Sequence, residues 1–443
     1  MTRDHLKTRI FEAIDRRAPE IIRIGETIRK NPELGFKEVK TARLVEETFR
    51  ALGLAPRPGL AFTGVRADVS GGAGAGPTFA VLGELDALRV TGHPDADPHS
   101  GAAHACGHNA QIAGMLGAAM GLLDAKAFAH LAGRAVFFAV PAEEGGDLEW
   151  RVSQVRAGKL ELLGGKAELL RLGHFDDVDL AMMIHLTSRP EDGKASVPLS
   201  NNGRVGKLAR YVGKAAHAGG APHLGINALY AAQLGLMAIN CLRETFRDED
   251  SIRVHPILTA GGSQVNVIPA EARIETYVRG RTLPAILDAN AKVDRALRAG
   301  ALALGATVEI DTFPGYLPLE CDTTMARYFR QSVESLWGAE HFTQLGHRGG
   351  STDMGDLSQV IPCLHPYLGG AAGTGHAADY RIADPDLAYV GQAKALASMV
   401  VDMLADGAAG AREVLGKAKR PLTRAGYLDL QRTMGRREVY EGR

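Results

Sequence analysis

The stretch Ala-Val-Phe-Phe-Ala-Val-Pro-Ala-Glu-Glu, residues 135–144, joins an apolar run to a pair of acidic residues. A similar short apolar run, Thr-Phe-Ala-Val-Leu, occupies residues 78–82, and another occupies residues 180–184. Residues 109–123 lie between the runs at 78–82 and 135–140, and they have the length and the apolar content of a helix. Alternation of short apolar strands with helices favours a sheet of parallel strands covered by helices. We therefore predict an α/β domain built around this stretch.

A different pattern begins near residue 204 and ends near residue 311. It predicts, in order, strand 206–212, helix 227–242, strands 253–259 and 272–278, helix 284–303 and strand 307–310. This order is typical of a ferredoxin-like module. We predict an inserted lid domain at 204–311, with residues 1–203 and 312–443 forming the first domain. Residues 407–443 are basic and are predicted to be a solvated C-terminal extension.

The composition of the chain excludes several classes of function. Its 443 residues exceed what one hydrophobic core usually organises, which agrees with two domains. The formal net charge is +0, so we expect no nucleic-acid partner and a small-molecule substrate instead. The N-terminus has no uninterrupted apolar stretch, and we expect no membrane partner. The four cysteines are widely spaced, which is typical of reduced thiols in a cytoplasmic protein.

Candidate metal ligands lie next to the predicted strands. Cys106 and His108 immediately precede the helix, Glu143 and Glu144 follow one strand, and His185 follows another. Side chains at the carboxyl ends of strands in an open α/β sheet converge on one crevice. Thiolate, imidazole and carboxylate groups together suit a divalent transition metal such as zinc or manganese. We therefore predict a metal centre at this edge of the sheet.

Each of these residues also has an ordinary structural explanation. An isolated Cys or His is more often a packed core residue than a ligand, and a Glu pair after a strand is usually solvated. The combination of His-Ala-Cys-Gly-His at 104–108 with the Glu pair favours the metal site. A structural zinc site is disfavoured because paired Cys-x-x-Cys motifs are absent from the sequence.

Eight short motifs are spread over nearly the whole chain. They are Asn-Pro-Glu-Leu-Gly-Phe at 31–36, Gly-Glu-Leu-Asp-Ala at 83–87, His-Ala-Cys-Gly-His at 104–108, Pro-Ala-Glu-Glu at 141–144, Gly-Lys-Ala-Ala-His-Ala at 213–218, Gly-Ile-Asn-Ala at 225–228, Asn-Val-Ile-Pro at 266–269 and Gly-Ser-Thr-Asp-Met-Gly-Asp at 350–356. Together they resemble the two-domain metallopeptidase and amidohydrolase family that contains carboxypeptidases, aminoacylases, auxin-conjugate amidohydrolases and aminobenzoyl-glutamate hydrolases. The resemblance implies a zinc-peptidase-like catalytic domain with a mixed, mostly parallel sheet, and a ferredoxin-like α+β lid.

The resemblance also implies roles for single residues in the catalytic domain. The implied metal ligands are Cys106, His108, Glu144, His185 and His376. Glu143 resembles the family's general base, which takes the proton of a water molecule whose pKa a metal has lowered. Asp86 resembles the carboxylate that orients a ligating imidazole. Manganese or zinc, as one or two ions, is the implied cofactor.

Five residues in and near the lid resemble residues that contact the substrate. His217 resembles a histidine that reaches across a dimer interface to polarise the substrate oxygen. Asn266 and Arg279 resemble contacts to a substrate carboxylate or oxyanion, and Ser351 and Thr352 are further candidates for substrate binding. The resemblance therefore implies a homodimer, or a higher homo-oligomer, formed through the lid.

The chain departs from the common family pattern in two motifs. The usual Gly-His-Asp is Gly-His-Asn at 107–109, and the usual His-Val-His-Pro is His-Leu-Thr-Ser at 185–188. One carboxylate and one histidine are thus missing, which leaves the number of metal ions open. Several other groups could donate to a metal, with the first two as substitutes for His376: Asp379, His365, His93, His99 and His104.

Four functions follow from these residues. The favoured one is hydrolysis of a non-peptide carbon–nitrogen bond, the amide of an acyl- or aroyl-amino acid. The alternative is hydrolytic deamination of an aromatic amine with release of ammonia, as in the nitroanthranilate aminohydrolase branch that the sequence also resembles. A dipeptidase and an inactive scaffold are less favoured, and analogy of fold is weak support for any choice of substrate.

Overall fold

The computed structural model describes residues 1–419 and 421–443. Among these residues there are eleven α-helices. They are α1 (Arg3–Arg29), α2 (Val39–Ala51), α3 (His108–Asp124), α4 (Leu148–Arg156), α5 (Gly165–Arg171), α6 (Ala228–Cys241), α7 (Leu283–Leu304), α8 (Thr323–Trp337), α9 (Met354–Ser358), α10 (Gln392–Lys417) and α11 (Arg424–Met434).

The same residues form twenty-one strands, several of which have only two residues. The first ten are β1 (Arg57–Leu60), β2 (Gly64–Ser70), β3 (Thr78–Glu84), β4 (Leu88–Arg89), β5 (Ala102–Ala103), β6 (Arg134–Val140), β7 (Leu180–Met182), β8 (His185–Leu186), β9 (Ala195–Asn201) and β10 (Gly203–Val212). The others are β11 (Arg253–Val254), β12 (Ile257–Ala260), β13 (Glu271–Gly280), β14 (Thr307–Phe313), β15 (Leu319–Glu320), β16 (Phe342–Arg348), β17 (Cys363–Leu364), β18 (Tyr367–Leu368), β19 (Ala371–Ala372), β20 (Arg381–Ile382) and β21 (Arg436–Glu441).

The chain divides into two compact units, each made of three segments. Unit 1 comprises Met1–Leu199, Glu320–Gly346 and Asp356–Arg424. Unit 2 comprises Ser200–Leu319, His347–Gly355 and Ala425–Arg443.

Unit 1 is built on a six-stranded sheet in the order β1-β2-β6-β3-β7-β17. The neighbours from β6 to β17 pair in parallel, while β1 and β2 are antiparallel. The predicted mixed, mostly parallel sheet is therefore confirmed. Helices α1, α3 and α10 pack together beside it, and α3 is almost entirely buried. Gly121 lets α1 approach, since a Cβ there would lie 2.3 Å from Ile14 Cγ1.

Unit 2 has an antiparallel sheet in the order β11-β13-β10-β14-β21, with α6 and α7 packed against it. The observed order from β10 to β14 follows the predicted strand and helix order. One detail of the prediction was wrong, because the single strand expected at 253–259 is divided into β11 and β12. Pro256 lies between the two strands, and proline lacks the N–H that a continuous ladder needs.

The predicted solvated extension at 407–443 was also wrong. Within α10, Ala408, Ala411 and Val414 are fully buried in unit 1. Further on, β21 pairs with β14 through six residues and forms an edge of the unit 2 sheet. Strands pair through backbone N–H and C=O groups, so the charged side chains of β21 do not prevent its pairing with β14.

Among the described residues, one helical segment, Asp386–Lys417, is long and apolar enough to cross a membrane by length and composition. However, 89% of its most apolar window is buried inside the protein. Burial of this kind is expected of a helix in a protein core.

Candidate metal centre

The predicted ligands of unit 1 come from neighbouring strands that point in the same direction. Strands β3, β6 and β7 are parallel neighbours, so their carboxyl ends lie at one edge of the sheet. Asp86 follows β3, the Glu143–Glu144 pair follows β6, and His185 lies just beyond β7. This edge is where ligands collect in open α/β sheets.

A sharp turn at Gly107 places Cys106 and His108 at the start of α3. Gly107 has φ 87°, a left-handed conformation that glycine adopts without strain, and α3 begins at the next residue. Asn109 lies in the first turn of this helix and does not cap it. Its side-chain amide is buried and donates to Gly25 O at 3.3 Å and to the Tyr389 hydroxyl at 3.0 Å.

The sulfur of Cys106 lies close to two of the predicted histidine ligands. Its Sγ lies 3.3 Å from Nε2 of His185 and 3.3 Å from Nε2 of His376. The same His376 nitrogen lies 3.5 Å from Oε1 of Glu144. The structure thus brings residues separated by up to 270 positions within reach of one sulfur atom.

The Nδ1 atom of His108 contacts the carboxylate of Asp86, and its Nε2 atom lies among the predicted metal ligands. Its Nδ1 lies 3.2 Å from Oδ1 of Asp86 and 2.9 Å from the Asp86 carbonyl oxygen. Its Nε2 is buried 3.0 Å from Oε2 of Glu84 and has no hydrogen-bond partner among residues 1–419 and 421–443. A hydrogen bond on one ring nitrogen fixes the tautomer that leaves the other free to bind a metal.

In the part of the chain that the structure describes, three overlapping groups of donor atoms could each hold a metal ion. They are Cys106 with His108 and His185, Cys106 with Glu144 and His376, and Glu84 with His108 and Glu143. Within each group all donor atoms lie within 4.8 Å of one another. Two buried atoms, His108 Nε2 and Glu144 Oε1, have no hydrogen-bond partner among the described residues. Because buried polar atoms are normally satisfied, these two atoms fit a bound cation.

Burial and neighbouring charges favour the protonated forms of Cys106 and His108, so a metal would have to displace these protons on binding. Burial, together with the carboxylate of Glu144, raises the pKa of the Cys106 thiol far above its usual value. Burial and the neighbouring His108 lower the pKa of His185. Burial also disfavours the charged form of His108, but Glu84 and the hydrogen bond with Asp86 raise its pKa well above 6.5. A thiolate is therefore favoured here only when a cation compensates its charge.

The turn that carries Glu143 and Glu144 has a strained backbone, and hydrogen bonds hold it in place. Ala142 has φ 54°, which is uncommon for a residue with a Cβ. The backbone N–H of Glu144 donates to Oδ2 of Asp86 at 2.8 Å, and the buried Arg151 guanidinium donates to the Glu144 carbonyl oxygen. Glu143 is 8% exposed and lies on the same turn. Both carboxylates are thus placed by backbone contacts.

Sequence reasoning missed an ion pair behind the centre. The ammonium of Lys166 lies 2.5 Å from Oε1 of Glu84, and both side chains are fully buried. Gln111 donates to Oε2 of Glu84 at 2.8 Å. Glu84 stands in the Gly-Glu-Leu-Asp-Ala motif, so its position could have been noticed, but its partner is 82 residues away and has no local signal.

The five additional donors proposed from the sequence differ in their burial and in their contacts. His365 is buried and stacks on His185 with ring centroids 5.8 Å apart, and burial lowers its pKa to about 3. His104 is buried, and neither of its ring nitrogens has a hydrogen-bond partner in the described part of the chain. His93 contacts the Tyr380 carbonyl oxygen at 3.0 Å, and Asp379 accepts from the Thr374 N–H at 3.1 Å. His99 is exposed.

The predicted substrate contacts belong to unit 2. The N–H of Ala218, next to His217, donates to the Asn266 carbonyl oxygen at 3.0 Å, which brings those two predicted residues together. Nη1 of Arg279 lies 3.4 Å from Oγ of Ser351. Thr352 Oγ1 accepts from the Met354 N–H at 3.2 Å, at the start of α9. Their roles in substrate binding stay a prediction.

Comparison with known proteins agrees with this geometry. The model of the peptidase family M20/M25/M40 matches residues 80–401. The chain is 30% identical to the Xaa-Arg dipeptidase of Mus musculus over 90% of this chain and 89% of that protein. It is 28% identical to the IAA-amino acid hydrolase ILR1-like 2 of Arabidopsis thaliana over 91% of this chain and 90% of that protein.

Among solved structures, the fold is similar to that of YXEP of Bacillus subtilis, described as a dinuclear metal binding peptidase from the M20 family. The TM-score is 0.62 at 20% identity, covering 87% of this chain and 98% of that one. The family and the fold class predicted from the motifs are confirmed, and the aminohydrolase branch stays a prediction. The chain therefore belongs to the peptidase family M20/M25/M40, a family of metal-dependent amidohydrolases and peptidases.

Proposed function

We propose that this protein hydrolyses the amide bond of an acyl- or aroyl-amino acid. The observation that carries the proposal is the position of Glu143. Its carboxylate belongs to the same donor group as His108, while the adjacent Glu144 belongs to the group centred on Cys106. Glu144 can therefore bind a metal while Glu143 accepts and donates a proton.

The residues present fit a divalent transition metal. Cys106, His108, Glu144, His185 and His376 would hold it. Manganese and zinc both suit this mixture of sulfur, nitrogen and oxygen donors. Bound there, the metal would supply Lewis acidity and lower the pKa of a water molecule toward about 7.

Glu143 would act as the proton shuttle. It accepts a proton from the attacking water and delivers it to the nitrogen of the leaving amine, which breaks the carbon–nitrogen bond. Asp86 keeps the His108 ring oriented through Nδ1 and also anchors the Glu144 backbone, so that one carboxylate positions two ligands. In unit 2, His217, Asn266 and Arg279 would contact the amide oxygen and the carboxylate of the substrate.

The test is product analysis by mass spectrometry. The protein loaded with manganese or zinc is incubated with acyl-amino acids, dipeptides and aminobenzoates that include nitro-substituted ones. Release of a free amino acid from an acyl-amino acid supports the proposal. Conversion of an aryl amine to a phenol with ammonia would instead establish the aminohydrolase alternative, and activity restricted to dipeptides would establish a peptidase.

We also propose that unit 2 forms a homodimer. Helix α6 has no charged residue, and Tyr230, Leu234 and Met237 are exposed along one side of it at helical spacing. Ile257 and Leu258 of β12 are exposed as well. An uncharged apolar surface suits a second copy of itself, because an isologous interface must be self-complementary.

Light scattering of the purified protein tests the dimer. The wild-type protein is expected to have twice the chain mass at micromolar concentration, and Met237→Glu is expected to be monomeric. Leu302→Glu, a change at another exposed apolar residue of unit 2 that lies on α7, serves as the matched control and should leave the dimer intact. A monomeric wild-type protein would contradict the proposal.

A further inference from the structure

The hydroxyl group of Tyr380 is buried in unit 1 without a hydrogen-bond partner. Only 4% of this residue is exposed, and its Oη contacts no donor or acceptor within the described ranges, 1–419 and 421–443. Buried hydroxyl groups are normally hydrogen-bonded, because the bonds that they lose to water have to be replaced. The Tyr380 hydroxyl therefore has the capacity to donate one more hydrogen bond.

This hydroxyl lies against the turn that carries Cys106 and His108. A Cβ atom placed on Gly107 would be 2.6 Å from Tyr380 Oη and 3.1 Å from Leu186 Cβ. Glycine at position 107 is thus needed for the close approach of the hydroxyl as well as for the positive φ of the turn. The phenol group therefore packs on the residue next to Cys106.

The backbone and the ring of Tyr380 are both held in place. Nδ1 of His93 accepts from the Asp95 N–H at 3.1 Å, so Nε2 is the protonated nitrogen and donates to the Tyr380 carbonyl oxygen at 3.0 Å. The Tyr380 N–H donates to the Ala377 carbonyl oxygen at 3.3 Å. The ring belongs to a small buried apolar cluster with Val90, Ala103 and Ala105. These contacts position the ring and leave the hydroxyl group unused.

The nearby charged groups are metal ligands. Burial, and after it Cys106, raise the pKa of the Tyr380 hydroxyl above its ordinary value, while His108 lowers it. The hydroxyl therefore keeps its proton and is a donor. His108 offers no acceptor to it when a metal is bound, because Nδ1 contacts Asp86 and Nε2 would bind the metal. A metal-bound cysteine is a thiolate, and hydrogen bonds to an ionised acceptor are the strong ones.

We propose that Tyr380 is a positioning residue of the metal centre, whose hydroxyl donates a hydrogen bond to the Cys106 sulfur when that sulfur binds the metal. The inference rests on the metal site of the proposed function, but it does not depend on which bond the protein cleaves. The hydrogen bond would offset part of the thiolate charge in a buried site and hold the Cys106 side chain in one orientation. Loss of such a contact to a ligand lowers metal affinity by about 10- to 100-fold.

Titration of the metal-free protein with cobalt(II) tests this role, since cobalt–thiolate bonds absorb in the near ultraviolet. Tyr380→Phe, which removes only the hydroxyl oxygen, is expected to bind cobalt at least about 10-fold more weakly than the wild-type protein. Its thiolate absorption should shift to longer wavelength, because a sulfur without the hydrogen bond gives electrons to the metal more readily. Tyr211→Phe is the matched control. It removes a buried hydroxyl that donates to the Leu297 carbonyl oxygen in unit 2, and it should change neither the affinity nor the spectrum.

A double variant shows whether the hydroxyl acts through the sulfur. In Cys106→Ala the acceptor is gone, so adding Tyr380→Phe should not weaken cobalt binding further. The role of Tyr380 is refuted if Tyr380→Phe matches the wild-type protein in affinity and spectrum, if the affinity falls without a spectral shift, or if the loss is equally large in the Cys106→Ala background. A wild-type protein that binds no cobalt would refute it as well.

Turnover separates this inference from the proposed function. If the cobalt spectrum depends on Tyr380 as expected while no acyl-amino acid is cleaved, the proposed function fails and the role of Tyr380 stands. If acyl-amino acids are cleaved while Tyr380→Phe and the wild-type protein have the same cobalt affinity and spectrum, the proposed function stands and the role of Tyr380 fails.

Discussion

The buried ion pair behind the metal centre yields a quantitative prediction for Lys166→Met. The Lys166 ammonium and the Glu84 carboxylate are 2.5 Å apart, and neither side chain reaches solvent. At an effective dielectric constant of about 20, two unit charges at this separation attract by about 7 kcal/mol. The desolvation of both ions offsets much of that attraction. Removing lysine alone leaves Glu84 charged and buried, which costs about 3–5 kcal/mol.

The assay is thermal unfolding of the metal-free protein by calorimetry. At about 2 °C per kcal/mol, Lys166→Met should lower the melting temperature by about 6–10 °C. The double variant with Glu84→Gln should recover at least about 2 kcal/mol, because it removes the uncompensated charge. Lys159→Met is the matched control, since Lys159 is exposed, and should change the stability by less than about 0.5 kcal/mol.

A wild-type melting temperature for Lys166→Met would contradict a stabilising ion pair. The same holds if the double variant is destabilised by the sum of the effects of the two single variants. Additivity would mean that the two side chains do not interact energetically. Because Glu84 also lies 3.0 Å from His108 Nε2, Lys166→Met is further expected to weaken metal binding, and unchanged metal content would remove that link.

Three more predictions concern metal and pH. Cys106→Ala should lower metal affinity by more than about 100-fold, since the thiol contacts both His185 and His376; metal analysis after dialysis at limiting metal tests this, and wild-type content would contradict it. Chelation should lower the melting temperature, because an ion at 100 times its dissociation constant stabilises the folded state by about 2.7 kcal/mol; an unchanged melting temperature would argue against a site formed on folding. Burial and the Asp86 carboxylate raise the pKa of the fully buried Glu38 to about 7, so its protonated form is favoured in the folded state. Its contribution to stability is therefore complete below pH 4.5 and is lost as the pH rises through 7, by up to about 3 kcal/mol. Glu38→Gln should flatten the decline in stability between pH 5 and 8, and an equal slope in both proteins would contradict the assignment.

Local sequence patterns were sufficient for the elements that define the fold. Strands β3, β6 and β7 are short apolar runs, and α3 is a continuous apolar helix, so each is recognisable without knowledge of its neighbours. The convergence of Asp86, Glu143 and His185 follows from their places after parallel strands. These features depend on spacing along the chain, which the sequence displays directly.

The features that escaped prediction depend on partners distant in the chain. The pairing of Lys166 with Glu84 spans 82 positions, and no local pattern distinguishes a buried lysine from a solvated one. The sequence of β21 resembles a charged tail, because its pairing with β14 uses backbone groups and leaves no apolar pattern in the sequence.

Labelling with oxygen-18 shows whether the oxygen of water enters the acyl product, as hydrolysis of an amide requires. The metal-loaded protein is given an acyl-amino acid in water enriched in oxygen-18, and the products are weighed by mass spectrometry in a single turnover. Our account predicts one heavy oxygen in the new carboxylate of the acyl product, none in the released amino acid, and no product with Glu143→Gln at wild-type metal content. The account would be contradicted by unlabelled products, by undiminished turnover in Glu143→Gln, or by label found only in a phenol formed from an aromatic amine.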